Sequence, residues 1–140
     1  MNRGFSLFEA VVALAIISTV ILLASTPFLN LSPKYKLKKA AGEVYARLNY
    51  ARYKAIFDGQ PVRVSFGQTG YSVEKYDSNL KKWHPLVIGI LEGVTVEANN
   101  SPIFHPVGTV SNLATILIAN ATGKYKLTLA ISGRIKMVTL

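Results

Sequence analysis

Residues Arg3-Gly4-Phe5-Ser6-Leu7-Phe8-Glu9 lead straight into an apolar run, and from Phe5 to Leu31 the chain reads FSLFEAVVALAIISTVILLASTPFLNL with Glu9 as its only charge. A helix over this stretch, at about 1.5 Å per residue, reaches roughly 40 Å, enough to cross a hydrocarbon core of about 30 Å. The run therefore reads as a membrane-spanning helix. Ahead of it stand only Met1 to Gly4, too few for the charged and apolar regions of a removable secretory signal, and no Ala-x-Ala-like site closes the run. A carboxylate at bilayer depth costs roughly 2.5 to 3.5 kcal/mol on insertion scales, so Glu9 must be paired, protonated, functional or close enough to the helix end to stay wet. Cleavage after Gly4 would make Phe5 the first residue and Glu9 the fifth. The new amine could then pair with that carboxylate on a neighbouring chain.

Arg3 to Glu9, followed at once by the apolar run, resembles the class III leader of type IV pilins and type II secretion pseudopilins. The resemblance implies a prepilin peptidase that cuts between Gly4 and Phe5, N-methylation of Phe5, and Glu9 as the assembly residue. It also implies subunits held in the bacterial inner membrane as single-pass proteins with the carboxyl-terminal domain in the periplasm, later stacked into a filament with other pilin subunits. The positive-inside count points the other way, since Arg3 precedes the span while Lys34, Lys36, Lys38 and Lys39 follow it. The leader takes precedence, because its cleavage chemistry requires the amino terminus inside.

With 140 residues the chain has room for one folded domain and an appended segment. Hydrophobic residues make up 50% and charged ones 16%, which excludes a disordered protein. There is no cysteine, so disulfides, thiolate nucleophiles and cysteine-held zinc are excluded. A net charge of +9 favours anionic partners such as nucleic acid or lipid headgroups.

Pro27 and Pro33 bracket Phe28 to Ser32, where a kink or break is expected before the helix resumes. Leu37, Ala41, Val44, Leu48, Ala51 and Ala55 then recur at spacings of three and four, an amphipathic stripe that should cover a sheet. Asp58-Gly59 ends that helix. Beyond it the period falls to two: Val62, Val64 and Phe66 alternate with Arg63 and Ser65, and a turn at Gly67 to Gly70 leads into Tyr71 to Tyr76 as a hairpin. Further strands are expected at Val87 to Leu91, Val94 to Ala98, Thr115 to Ala119, Tyr125 to Ile131 and Arg134 to Val138. The expected fold is α+β and pilin-like, one long helix packed against antiparallel sheet. Its parts would be a leader at 1–4, a membrane and filament-core helix at 5–31, an amphipathic half at 32–58 and a β-rich domain at 59–140.

Ala51-Arg52-Tyr53-Lys54-Ala55-Ile56, Gly59 to Val64, Phe104-His105-Pro106-Val107-Gly108 and Ile131-Ser132-Gly133-Arg134-Ile135 resemble, in this order, the GspH/FimT family of minor pseudopilins. That resemblance implies a structural subunit of a type IV pilus or a type II secretion pseudopilus. Gly108 and Gly133 read as turn residues, and Arg52 as a solvated helix residue.

Nothing in the sequence signals an enzyme. Hydrolase-elbow, P-loop and dinucleotide signatures are absent, and the acids form no patterned pair. No cofactor is implied. His84 and His105 each precede a proline and are placed in loops or strand ends, without the spacing of a zinc site. Trp83 and Tyr76 read as cross-strand packing rather than a stacking platform for bases. The basic features are more telling. Lys124 and Lys126 alternate on one strand and Arg134 and Lys136 on another, so each pair shares a face, and pairing of the strands would gather four cations suited to phosphate. Gly133-Arg134-Ile135-Lys136 is similar to the Gly-Arg-x-Arg motif of DNA-binding FimT-type pilins, with lysine in place of the final, bidentate arginine. An alternative function follows, a minor pilin that binds DNA for uptake in natural transformation.

Overall fold

In the computed structural model of the chain, residues 6–140 are described, with side chains for 6–23 and 33–140. Two compact units divide at Ser32 and Pro33. Helix α1 is assigned from Leu7 to Asp58. The assigned helix continues through Pro27 and Pro33, each proline removing one backbone donor from the ladder. In the first unit, the side chains from Leu7 to Leu23 are all exposed. No helix among the described residues is long and apolar enough to cross a membrane. The expected span, 5–31, includes Phe5 and the side chains of 24–31, which lie outside what is described.

In the second unit α1 buries the face the spacing predicts: Leu37, Ala41, Val44, Leu48, Ala51 and Ala55, with Ala40 beside them. Four of these are alanines, which let sheet backbone come close, while Leu48 and Val44 fill the space between. Against them pack two antiparallel sheets. The first is ordered β3-β2-β1-β5-β6, from β1 (Val62–Gly67), β2 (Gly70–Asp77), β3 (Lys82–Ile90), β5 (Ile103–Phe104) and β6 (Val110–Ser111). The second is ordered β4-β7-β8-β9, from β4 (Thr95–Ala98), β7 (Thr115–Asn120), β8 (Gly123–Leu129) and β9 (Ile135–Thr139). Val62, Val64, Val73 and Phe104 from one sheet and Ile116, Ile118 and Leu127 from the other meet the helix stripe in a single core. Burying one such branched side chain is worth about 1.5–3 kcal/mol.

Several strands differ from the expected bounds. β3 starts at Lys82 and takes in Trp83, His84 and Pro85, so His84 lies within a strand. Proline is tolerated there because β3 is the outermost strand of its sheet, and a register shift opposite Val73 and Glu74 absorbs Leu86. Leu91 and Ile131 fall outside strands, and β5 and β6 were not foreseen. Two residues cannot display a period, so such strands leave no signal in the sequence.

Polar contacts fasten the helix to the sheets. Tyr71 on β2 donates its hydroxyl hydrogen to Glu43 at 2.6 Å and accepts from Arg47 Nε at 2.9 Å. Its ring lies over Gly89, where any Cβ would overlap it. Asp58 carries the wrong sign for a helix carboxyl end, and Lys54 at 3.2 Å and Lys75 at 2.7 Å offset that. Asn120 Nδ2 donates to the Pro33 carbonyl at 2.7 Å. Arg52, expected to be solvated, instead holds the β8–β9 turn: its guanidinium donates to the carbonyls of Ser132 at 3.2 Å and Gly133 at 3.3 Å. Gly133 has φ of +78, and a Cβ there would lie 2.7 Å from both Arg52 Nε and the Gly108 carbonyl oxygen.

Two predictions follow from these contacts. Gly133→Ala should lower stability by about 1–3 kcal/mol, since strain and crowding act together. A chemical-denaturation midpoint equal to that of the parent chain would refute it. The second concerns pH. The hydrogen bond from Lys75, with Lys54 assisting, holds the Asp58 carboxyl below the usual carboxylate range. Its contribution is therefore present above about pH 4 and lost as pH falls through the folded value. Burial, then the hydrogen bond to Glu43, pushes the Tyr71 phenol above its ordinary value. That contribution is present below about pH 10 and lost as pH rises through the folded value. Asp58→Asn should flatten the acid limb of the stability profile and Tyr71→Phe the alkaline limb. Limbs unchanged in both variants would sink the assignment.

Candidate functional site

Two surfaces carry the residues singled out in the sequence. Gly4 and Phe5 lie outside the described residues, and the first surface begins with the start of α1. The Ala10 amide donates to the Ser6 carbonyl at 3.1 Å, closing the first turn. Glu9 stands in that turn, where the positive end of the helix dipole favours a carboxylate. Its side chain is exposed, and among the described residues no cation lies within ion-pair distance of it. Beyond it, Leu14, Ile16, Ile17, Val20, Ile21, Leu22 and Leu23 are each more than half exposed. The two hydroxyls of the stretch are satisfied by the helix itself, Ser18 donating to the Leu14 carbonyl at 2.7 Å and Thr19 to that of Ala15 at 2.8 Å. Neither hydroxyl then needs water, so the stretch is chemically suited to apolar surroundings, with the Glu9 carboxylate as its one strongly polar group.

The second surface is the outer face of the β4-β7-β8-β9 sheet. β8 and β9 pair antiparallel, Lys126 opposite Val138 and Thr128 opposite Lys136. The Ala130 amide donates to the Arg134 carbonyl and the Leu140 amide to that of Lys124, each at 2.9 Å, which extends the same register at both ends. Directly opposed residues share a face, so Lys124, Lys126, Arg134 and Lys136 lie together on the side away from Leu127 and Leu129. They form a diagonal row across two strands. Lys126 and Lys136 are diagonal neighbours at its middle, about 7–8 Å apart at Cα. On β7 the same face continues through Leu117, opposite Lys126, and beyond that to Glu97 on β4. The Arg52 clamp sets the turn from which Arg134 enters β9.

Sequence reasoning missed that clamp. The only signal was the basic residue itself, since nothing local says that a helix residue reaches a turn eighty positions onward. Trp83 and Tyr76 are a cross-strand pair, edge to face with ring centroids 5.2 Å apart. The Arg63 guanidinium lies 4.5 Å from the Trp83 ring centroid and is also ion-paired to Glu74, so this aromatic pair is already occupied. His105 shares a hydrogen bond with the Ser111 hydroxyl at 2.8 Å. Among the described residues no group of three or more acidic or histidine side chains could hold a metal ion.

Comparison with known proteins bears on the fold and on the amino terminus. No curated protein matches the chain. Among solved structures, the minor pseudopilin EpsH from the type 2 secretion system of Vibrio cholerae superposes with a TM-score of 0.64 at 17% identity, over 74% of this chain and 97% of that one. The type IV minor pilin FimU of Pseudomonas aeruginosa gives 0.63 at 21%, over 75% and 90%. The solution structure of E. coli GspH gives 0.63 at 16%, over 75% and 89%. At these identities the likeness establishes the fold. Residues 1–25 match the prokaryotic N-terminal methylation motif, and residues 40–133 match the family described as Type II transport protein GspH. With the family's match covering most of the second unit and the methylation motif at the start of the first, the chain belongs to the GspH family and is a structural subunit rather than an enzyme.

Proposed function

We propose that the chain is a minor pseudopilin or pilin precursor, cut by a prepilin peptidase between Gly4 and Phe5, methylated on Phe5 and assembled into a filament through α1. The observation that carries this is the exposed apolar surface from Leu7 to Leu23, with Glu9 at its head and its hydroxyls satisfied internally. In a packed filament core or a bilayer, such a surface gains by burial, and Glu9 becomes costly unless a cation meets it. The Phe5 amine of an adjacent subunit is that cation. Because a misplaced subunit would leave the carboxylate unpaired in apolar surroundings, the ion pair sets register. Before assembly the chain rests in the inner membrane with its β-rich domain in the periplasm. The filament is a type II secretion pseudopilus or a type IV pilus, since both machines contain subunits of this fold.

A second reading rests on the β8–β9 register. A row of four cations on one face, with Lys136 supplying charge without a bidentate fork, suits the sugar-phosphate backbone of DNA and would add uptake to the assembly role.

Two experiments test these readings. In cells holding a prepilin peptidase, Glu9→Leu should still be trimmed and methylated by mass spectrometry but fail to enter sheared filaments, while a Gly4 substitution should block trimming. Filament entry by the Glu9→Leu variant at the parent level would remove the register role. For DNA, retention of duplex by the full chain in detergent should fall steeply with salt, and each of Arg134→Ala and Lys136→Ala should reduce the salt slope by about 1. No retention at low salt would eliminate the uptake reading.

A further inference from the structure

α1 enters the second unit at Pro33, just after the apolar run ends at Leu31, and its first turns there read Lys34-Tyr35-Lys36-Leu37-Lys38-Lys39. At about 100° and 1.5 Å per residue, Lys36 and Lys38 stand to either side of Leu37, Lys39 stands nearly opposite it, and all four lysines fall within about 7.5 Å of helix. The headgroup layer of a bilayer is roughly 5–8 Å deep. The four lysines are exposed, and so is Tyr35, at 69%. Lysine and tyrosine are the side chains that favour the boundary between hydrocarbon and water.

The side of α1 left without a lysine is covered by one end of the second sheet. Leu37 is buried there, and a Cβ at Gly123 would lie 3.7 Å from its Cδ2. The Asn120 side-chain amide holds the Pro33 carbonyl, and the stem of Lys36 lies along Gly93, where a Cβ would stand 3.0 Å from Lys36 Cδ. Thr95 pairs with Ala119, so the turns at 91–94 and 120–123 lie at the same end of that sheet. The second turn delivers Lys124, exposed, as a fifth cation. Among the described residues none of these five lysines is ion-paired, whereas Lys54, Arg63 and Lys75 are. Glu92 is the one acidic side chain on the two turns.

We propose that this end of the second unit is a phospholipid seat. Lys34, Lys36, Lys38, Lys39 and Lys124 grip the phosphates of anionic headgroups, with Tyr35 among them, and lay the β7–β8 turn against the membrane while the precursor waits for assembly. The proposal rests on the reading that the apolar run lies in the bilayer. Copies seated on one membrane all face it in the same sense, so their helices keep the common direction that stacking through α1 requires. The seat also gives a use to the lysines that oppose the positive-inside count.

Because the chain has no cysteine, a nitroxide on a single introduced cysteine reports depth without background. Dissolved oxygen relaxes such a label most in hydrocarbon, and an aqueous nickel chelate relaxes it only in water. The full-length protein is placed in bilayer discs of phosphatidylglycerol and phosphatidylcholine in equal parts, or of phosphatidylcholine alone. A label at Ala121→Cys should be shielded from the chelate in the mixed discs and open to it in the neutral ones. Val107→Cys, next to Gly108 in a turn beside Ile56 and so about 30 Å further along α1, should be open in both. Each lysine at an anionic surface favours contact by about fivefold. Lys36→Ser combined with Lys124→Ser should therefore lower the ratio of seated to free label by about 25-fold, and Lys36→Arg with Lys124→Arg should keep it. Lys136→Ser, on the outer face of the sheet, should leave the depth unchanged. Raising salt from about 0.15 M to about 1 M shortens the screening length from about 8 Å to about 3 Å and should free the label. Equal shielding in both kinds of disc, chelate access in both, or an effect of Lys136→Ser as large as that of the double variant would each overturn the proposal. A label at Ile17→Cys separates it from the reading beneath it. Hydrocarbon depth there, with Ala121→Cys open in the mixed discs, removes the seat alone, whereas chelate access at Ile17→Cys removes both.

Discussion

Burial of one face of α1 between Leu37 and Ala55 is the constraint on which the β-rich unit depends. Neither sheet is thick enough to bury its own inner face, and the first is extended past β1 only by the two-residue strands β5 and β6. The helix supplies the missing layer. Ala40, Ala41, Ala51 and Ala55 keep its surface shallow, and Val44 and Leu48 are fully buried in the core that both sheets share. A larger residue at an alanine position would push a sheet outward, and a polar one would sit unpaired among aliphatics. Because both sheets close on this face, their other faces and outer edges are left to meet partners.

Around the rim of that core, helix side chains reach over to hold loops whose own contacts are few. Arg52 gathers the Ser132 and Gly133 carbonyls, and the Val110 amide binds the neighbouring Ile131 carbonyl at 2.9 Å, so the β8–β9 turn is fixed from two sides. The row of cations begins immediately after that turn. Tyr71 does the corresponding work for β2, accepting from Arg47 and donating to Glu43, and the bare backbone of Gly89 leaves room for its ring.

Much of this was legible in residue order. The helix stripe from Leu37 to Ala55 was readable because burial repeats every three to four residues, and the Val62 to Tyr76 hairpin because alternation runs long enough on both sides of a glycine turn. The shared face of Lys124, Lys126, Arg134 and Lys136 followed from the same alternation once pairing of the two strands was supposed. Other features left no local trace. β5 and β6 are too short for a period, and His84-Pro85 reads as a loop or strand end because proline cannot join an inner strand. Only its place at the edge lets it stay in β3. Arg52 reads as a surface residue because its partners are remote in sequence.

Sequence by itself determined the elements and the chemistry they carry: the leader, the apolar run headed by Glu9, the amphipathic helix, the main alternating strands and the excess of cations. Each of these is set by covalent neighbours, by side-chain period and by charge, all of which are written along the chain. Tertiary structure decided which strand is outermost, which amides of β3 point to solvent, and which turn Arg52 holds. Those outcomes depend on non-local pairing, in which a strand's exposure is fixed by its neighbours in the sheet rather than by its own residues.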